Sequence, residues 1–195
     1  MGNRANKKRR EPKCCCCCNC IAEPKHMLSE PKCSIGLIGD NEVGKTAFME
    51  RLVFNKFEDN YSSTLVLTKE VMQAQYHDTD IEVTINDMNG HEKYRVLNRI
   101  FLKRFDGIFL MYAINNRQSF EHLKDWINYI REFNEKKPII ILGNKSDQYA
   151  YEETPENEAR EFAKSYSIQF YMISCCIGFG IKEALQEMLT LFYGY

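Results

Sequence analysis

The stretch Gly39-Asp40-Asn41-Glu42-Val43-Gly44-Lys45-Thr46 satisfies the pattern G-x-x-x-x-G-K-[ST], and it stands between a strand-like apolar run and a helical one, where such a loop must stand. Its residue types suit phosphate. Glycines let backbone N–H groups curl around phosphate oxygens, Lys45 brings a point charge to the terminal phosphates, and the Thr46 hydroxyl is a ligand that Mg²⁺ accepts. Gly39, Asn41, Glu42, Val43, Gly44, Lys45, Thr46 and Ala47 are therefore the candidate phosphate-binding set. A phosphate loop does not choose a base. Asn144-Lys145-Ser146-Asp147 does, because a carboxylate at 147 accepts hydrogen bonds from both the ring N–H and the exocyclic amine of guanine, a donor pair that adenine lacks. Taken alone these four residues also suit a solvated turn. Downstream of a phosphate loop they favour GTP over ATP and leave an ATP-dependent kinase as a remote alternative.

These residues need rigid elements to position them. From residue 32 onward, strand-like runs alternate with helical patterns, the signature of a largely parallel sheet covered by helices on both faces. The pattern predicts a strand over 32–38, a helix over 45–55, and an antiparallel hairpin of 66–75 with 80–87 around the polar turn His77-Asp78-Thr79. A buried-type strand at 107–114 follows. Phe120, Leu123, Ile127, Ile130 and Phe133 then form a helical stripe over 119–133, with Trp126 alongside, read as core packing. A strand at 138–142, a helix opening at Thr154-Pro155, a strand at 168–173 and a helix at 181–192 complete the chain.

The run from residue 32 to about 192 resembles the Ras-like small GTPases, with each motif in order. Asp87-Met88-Asn89-Gly90 looks like the family's D-x-x-G, Thr64 falls at the family's interval after Thr46, and Ser174-Cys175-Cys176 stands for its fifth motif. The resemblance implies an α/β P-loop NTPase fold: a six-stranded, mostly parallel sheet with one antiparallel strand and helices on both faces. It also implies GTP and GDP as ligands with Mg²⁺ as cofactor, Thr46 and Thr64 ligating the metal directly and Asp87 through water. Gly90 would bond the γ-phosphate, Lys45, Thr64 and Gly90 would assist hydrolysis, Phe57 would lie against guanine beside Asn144, Lys145, Asp147, Ser174, Cys175 and Cys176, and Tyr61 would cover the phosphates. The alternative for Phe57 and for Tyr61 is a simply packed aromatic. Thr64 and Gly90 gain partners only from a γ-phosphate, so two loops are held in the triphosphate state and released after hydrolysis. Residues 57–68 and 88–99 are thus the expected surfaces for effectors and exchange factors. The 106–108 and 119–126 stretches look most like the Rab branch, although Asn86 replaces the Trp expected before D-x-x-G.

Other departures bear on the reaction. His91 stands where most relatives carry the Gln that orients the attacking water; neutral His offers one donor and one acceptor in a different geometry, and His⁺ offers no acceptor. Hydrolysis is expected to be slow, with His91 either positioning water or simply exposed. Asn41 and Glu42 replace small residues, Glu42 being expected to face solvent and Asn41 to obstruct an incoming arginine finger. A hydrolysis-deficient GTP-binding module is the alternative. Cys176 replaces the fifth motif's usual Lys, while Cys175 can still offer its backbone N–H to guanine. A catalytic role for either thiol lacks a basic neighbour in the local sequence, and Cys33 reads as core.

Charge separates the chain into two parts. Arg4, Lys7, Lys8, Arg9, Arg10 and Lys13 against Glu11 give residues 1–13 a charge of +5, while the remaining 20 basic and 26 acidic residues give −6, which sums to the net −1. Residues 1–31 read as a disordered basic, Cys-rich arm and 32–195 as one GTPase domain. The domain shows no nucleic-acid footprint. No apolar run spans a bilayer and no secretory signal is present, so an intracellular protein is expected. Gly2 after Met1 suits N-myristoylation, and Cys14, Cys15, Cys16, Cys17, Cys18 and Cys20 suit palmitoylation beside a polybasic stretch. Metal binding by these cysteines, an unmodified tract and nuclear localisation by 7–10 are the other readings. The ending Phe192-Tyr193-Gly194-Tyr195 carries no prenylation motif, so the expected location is the cytoplasmic face of a membrane, reached through the N-terminal arm, or otherwise the cytosol.

Overall fold

The apolar runs Gly107–Ala113 (β4) and Ile139–Asn144 (β5) become strands buried on both faces, as a parallel sheet covered on each side requires. They belong to a computed structural model that describes residues 31–58, 67–88, 100–133 and 136–194. The other strands are β1 (Lys32–Gly39), β2 (Thr68–Tyr76), β3 (Thr79–Asp87) and β6 (Gln169–Met172). They form one six-stranded sheet in the order β2-β3-β1-β4-β5-β6. Only β2 runs antiparallel, against β3; the other neighbours are parallel. The strand order reverses between β1 and β4, and in open α/β sheets the crevice at the carboxyl ends of such strands is where ligands bind.

Helices α1 (Lys45–Phe54) and α5 (Ile181–Tyr193) pack on one face, where Phe48 of α1 meets Phe109 of β4 edge-on at a centroid distance of 5.3 Å. Val43, Ala184, Leu185 and Met188 close this core. The opposite face carries α2 (Arg117–Glu121), α3 (Leu123–Arg131) and α4 (Glu156–Ser165), whose Phe120, Leu123, Trp126, Ile127, Ala159 and Ala163 form a second core with Leu110, Tyr112 and Ile141. Among the described residues no helix is long and apolar enough to cross a membrane.

Several boundaries differ from the sequence pattern for identifiable reasons. Thr79 pairs with Tyr76, so the hairpin turn is His77-Asp78 alone, with His77 in the left-handed region at φ 50°. The helix expected over 119–133 opens earlier, because the Asn116 side chain accepts from the Ser119 N–H at 3.1 Å, and it is divided into α2 and α3 at His122. Strand β5 runs two residues past 142, which carries Asn144 to its end. Helix α4 starts with Pro155 rather than Thr154 in the cap position. A 3-10 segment, Ser146–Tyr151, has no counterpart in the sequence reading.

Candidate functional site

The carboxyl ends of β1, β3 and β5, with the segment after β6, bring the candidate residues to one edge of the sheet. Gly39 ends β1, Asp87 ends β3, Asn144 ends β5, and Ser174-Cys175-Cys176 follows β6.

The phosphate loop is shaped by residues that a side chain would disrupt. Gly39 has φ 142°, and a Cβ there would collide with the Met111 carbonyl; Gly44 has φ 93°, and a Cβ there would collide with the Asn144 amide. Glycine is the residue that tolerates both the backbone angle and the approach. Between them, Glu42 also sits at φ 61°, in the left-handed region that disfavours ordinary side chains, and its side chain is exposed as expected. Lys45 is buried at 7% exposure and its Nζ donates to the carbonyls of Gly39 at 3.1 Å and Asp40 at 2.6 Å. Burial pushes this ammonium down to about 8, against the opposing pull of Asp87 and Asp40.

Thr46, in the first turn of α1, donates from its hydroxyl to Asp87 Oδ2 at 2.6 Å. Asp87 is fully buried. An alcohol oxygen and a carboxylate side by side at the mouth of the phosphate loop form a hard-oxygen pair of the type that binds Mg²⁺. The neighbouring Asn86, in place of the expected Trp, is turned inward and donates to Ser34 Oγ at 2.9 Å and to the Ile35 carbonyl at 3.1 Å.

On the base side, Asn144 braces two loops. Its Nδ2 donates to the Val43 carbonyl at 2.8 Å and its Oδ1 accepts from the Cys175 backbone N–H at 3.2 Å. The Cys175 N–H, expected to face guanine, is in this structure directed to Asn144. Lys145 takes the left-handed φ of 67° that turns the chain out of β5. The Ser174 hydroxyl donates to Asp147 Oδ1 and accepts from the Ile177 N–H at 3.3 Å. Burial pushes the Cys175 thiol up to about 12, which leaves it a packed thiol rather than a nucleophile. Cys176 is exposed, and Cys33 is buried in the core as expected.

Two features escaped the sequence reading. Arg51 of α1 donates from Nε to the Cys175 carbonyl at 2.7 Å and from Nη2 to the Cys176 carbonyl at 2.6 Å, stapling the helix after the phosphate loop to the fifth motif. The Arg51 guanidinium also stands 6.0 Å from the ring centre of Phe57, which is half-buried against the first core. Arg51→Ala is expected to lower stability by about 1–2 kcal/mol and the melting temperature by roughly 2–8 °C. An unchanged thermal unfolding curve would show that the staple is not maintained in solution. The second feature is a pair of contacts that the Asp40 carboxylate makes with His122 and Trp126. The candidates Tyr61, Thr64, Gly90 and His91, and the arm residues Gly2, Cys14–Cys18 and Cys20, lie outside the described residues.

A singly antiparallel six-stranded sheet with a phosphate-loop sequence running from β1 into α1 is the architecture of a P-loop nucleotide-binding protein. A family model described as the Ras family matches residues 34–193, and the chain belongs to that family of small GTP-binding regulatory proteins. It is similar to Ras-related protein Rab-15 of rat and of human, each 30% identical over 156 residues that cover 80% of this chain and 74% of the relative. Ras-related protein Rab-27B of cattle is 27% identical over 166 residues, covering 79% of this chain and 76% of its own length. The chain is thus a Ras-like small GTPase on the Rab-like side of the family, as the sequence reading has it.

Proposed function

We propose that this chain is a GDP/GTP-regulated switch that hydrolyses GTP slowly at the cytoplasmic face of a membrane, in signalling or vesicle trafficking. The observation that supports it most is the convergence at one sheet edge of the phosphate loop, the Thr46–Asp87 pair at 2.6 Å and the Asn144 bridge between the loop and the fifth motif. Phosphates would lie along 39–47, with Lys45 at the terminal groups. Guanine would meet Asp147 and Lys145 in the region bordered by Phe57 and 174–176. Thr46 and Thr64 would hold Mg²⁺ directly and Asp87 through water; bound there, the ion supplies positive charge to the β- and γ-phosphate oxygens. Thr64 and Gly90 would sense the γ-phosphate, making 57–68 and 88–99 the surfaces read by effectors and exchange factors. His91 cannot present the paired carbonyl and amide of Gln to the attacking water, which slows turnover.

Residues 1–31 act in this reading as an arm outside the 32–195 domain. Gly2 and the cysteines at 14–18 and 20 carry acyl chains, and the basic residues add attraction to anionic lipid, since one chain alone binds marginally. His91, Asn41 and Glu42 favour a second reading, a GTP-bound interaction module without turnover. Recovery of the full chain from a membrane fraction by neutral hydroxylamine, followed by chromatography of the nucleotide it releases on denaturation, tests both halves. Release by hydroxylamine with mostly GDP supports an acylated, cycling switch. Mostly GTP supports the module. A chain that is soluble without treatment removes the lipid anchor, and adenine nucleotide removes the guanine assignment.

A further inference from the structure

Asp40 occupies the second position of the phosphate loop, where the pattern specifies no residue type. Its carboxylate is held at both oxygens. Oδ2 lies 2.6 Å from His122 Nδ1, and Oδ1 accepts from Trp126 Nε1 at 2.8 Å. The same residue's backbone carbonyl accepts from Lys45 Nζ at 2.6 Å, so the phosphate-loop lysine grips one end of Asp40 and the helix after β4 grips the other. His122 and Trp126 are one helical turn apart, with the Trp126 N–H bonded to the His122 carbonyl at 3.0 Å, which puts both donors on one face. Trp126 is buried at 2% exposure in the second core. His122, at the α2–α3 junction, has a side chain 37% exposed.

A carboxylate in a phosphate loop works against the loop's ligand, because like charges repel more strongly where the dielectric is low. Two donors change that balance. Beside a carboxylate, Nδ1 of His122 carries the proton and donates, and together with the indole N–H it draws the Asp40 charge toward the helix while fixing the turn that follows Gly39. Bonds to an ionised acceptor run shorter and stronger than neutral ones, and the separations of 2.6 and 2.8 Å are in keeping with that. Loss of either donor both slackens the loop and returns negative charge to it, and the two effects have the same sign.

We propose that Asp40, His122 and Trp126 form a latch that fastens the phosphate loop to α3 and sets how fast bound guanine nucleotide leaves. His122 and Trp126 are positioning residues that act through Asp40. This rests on the guanine-nucleotide reading of the loop.

The test uses the full chain loaded with N-methylanthraniloyl-GDP, with release followed on addition of excess GDP. His122→Ala is expected to accelerate release roughly 10- to 100-fold, the loss of one hydrogen bond to a charged group. His122→Gln, which supplies a neutral donor, is expected to recover most of the difference. In a double-mutant cycle, Asp40→Ala with His122→Ala is expected to release no faster than Asp40→Ala alone, because each removes the same contact. Trp126 is the chain's single tryptophan, so its emission reports the latch directly. It is expected to change when Mg²⁺ and nucleotide are stripped with a chelator and to lose that response in Asp40→Ala. Release from His122→Ala within twofold of the unaltered chain, or strictly additive effects in the cycle, would overturn the latch and leave the guanine reading intact. An unaltered chain that binds no guanine nucleotide at all would overturn both.

Discussion

Lys45→Ala is expected to weaken GDP and GTP binding by roughly 100- to 10,000-fold, the combined loss of two or so charge-assisted contacts. The size of the effect follows from burial. At 7% exposure the ammonium has little competing water, and its pKa, lowered chiefly by desolvation to about 8, records how poorly the site solvates it without a bound anion. A phosphate supplies the missing countercharge. The fold itself has less to lose, because the variant removes a buried cation whose two partners are the carbonyls of Gly39 and Asp40 in an adjoining loop. Titration calorimetry with GDP and thermal unfolding without nucleotide separate the two. A GDP affinity within tenfold of the unaltered chain would show that Lys45 serves loop geometry alone.

Asp147→Asn is expected to lower GDP affinity about 1000-fold while raising relative affinity for xanthosine diphosphate. An ionised carboxylate only accepts, with room for about four bonds, so the one from Ser174 leaves capacity for two N–H donors of guanine. Asparagine replaces one acceptor with an NH₂, which then faces a donor. Sites built to hydrogen-bond a ligand reject a mismatched partner by factors of this size, because buried polar groups are left unpaired. Xanthine carries a carbonyl where guanine carries the amine, and it accepts from that NH₂. Competition of the two diphosphates against a fluorescent nucleotide reads the preference. Unchanged selectivity would remove Asp147 from the base site.

The fold class and the two most specific motifs were legible in the sequence because their information is local. A phosphate loop is one strand, one turn and one helix start, and Gly39 and Gly44 are required by backbone angles and close approaches within that unit. The β2–β3 hairpin is local for the same reason, although its turn is a residue shorter than the polar triplet at 77–79 suggests, since Thr79 joins the ladder to Tyr76. Buried parallel strands such as β4 announce themselves as unbroken apolar runs.

The tertiary structure alone decided how distant residues share the site. Arg51 reaches the carbonyls of Cys175 and Cys176 across more than 120 positions, Asn144 ties Val43 to Cys175, and Asp40 meets His122 and Trp126 across more than 80. Parallel strand order brings the ends of β1, β3 and β5 to one edge, and the helix faces then determine which side chains lean over it. No periodicity in the chain encodes such a meeting. Trp126 shows the limit best: its place alongside a helical stripe marked it for the core, where it lies, but only the packing of α3 against the end of β1 gives its indole N–H a carboxylate to hold. Hydrophobic pattern fixes which face of a helix is buried, whereas the partner of a single polar atom on that face depends on what the rest of the fold brings within 3 Å.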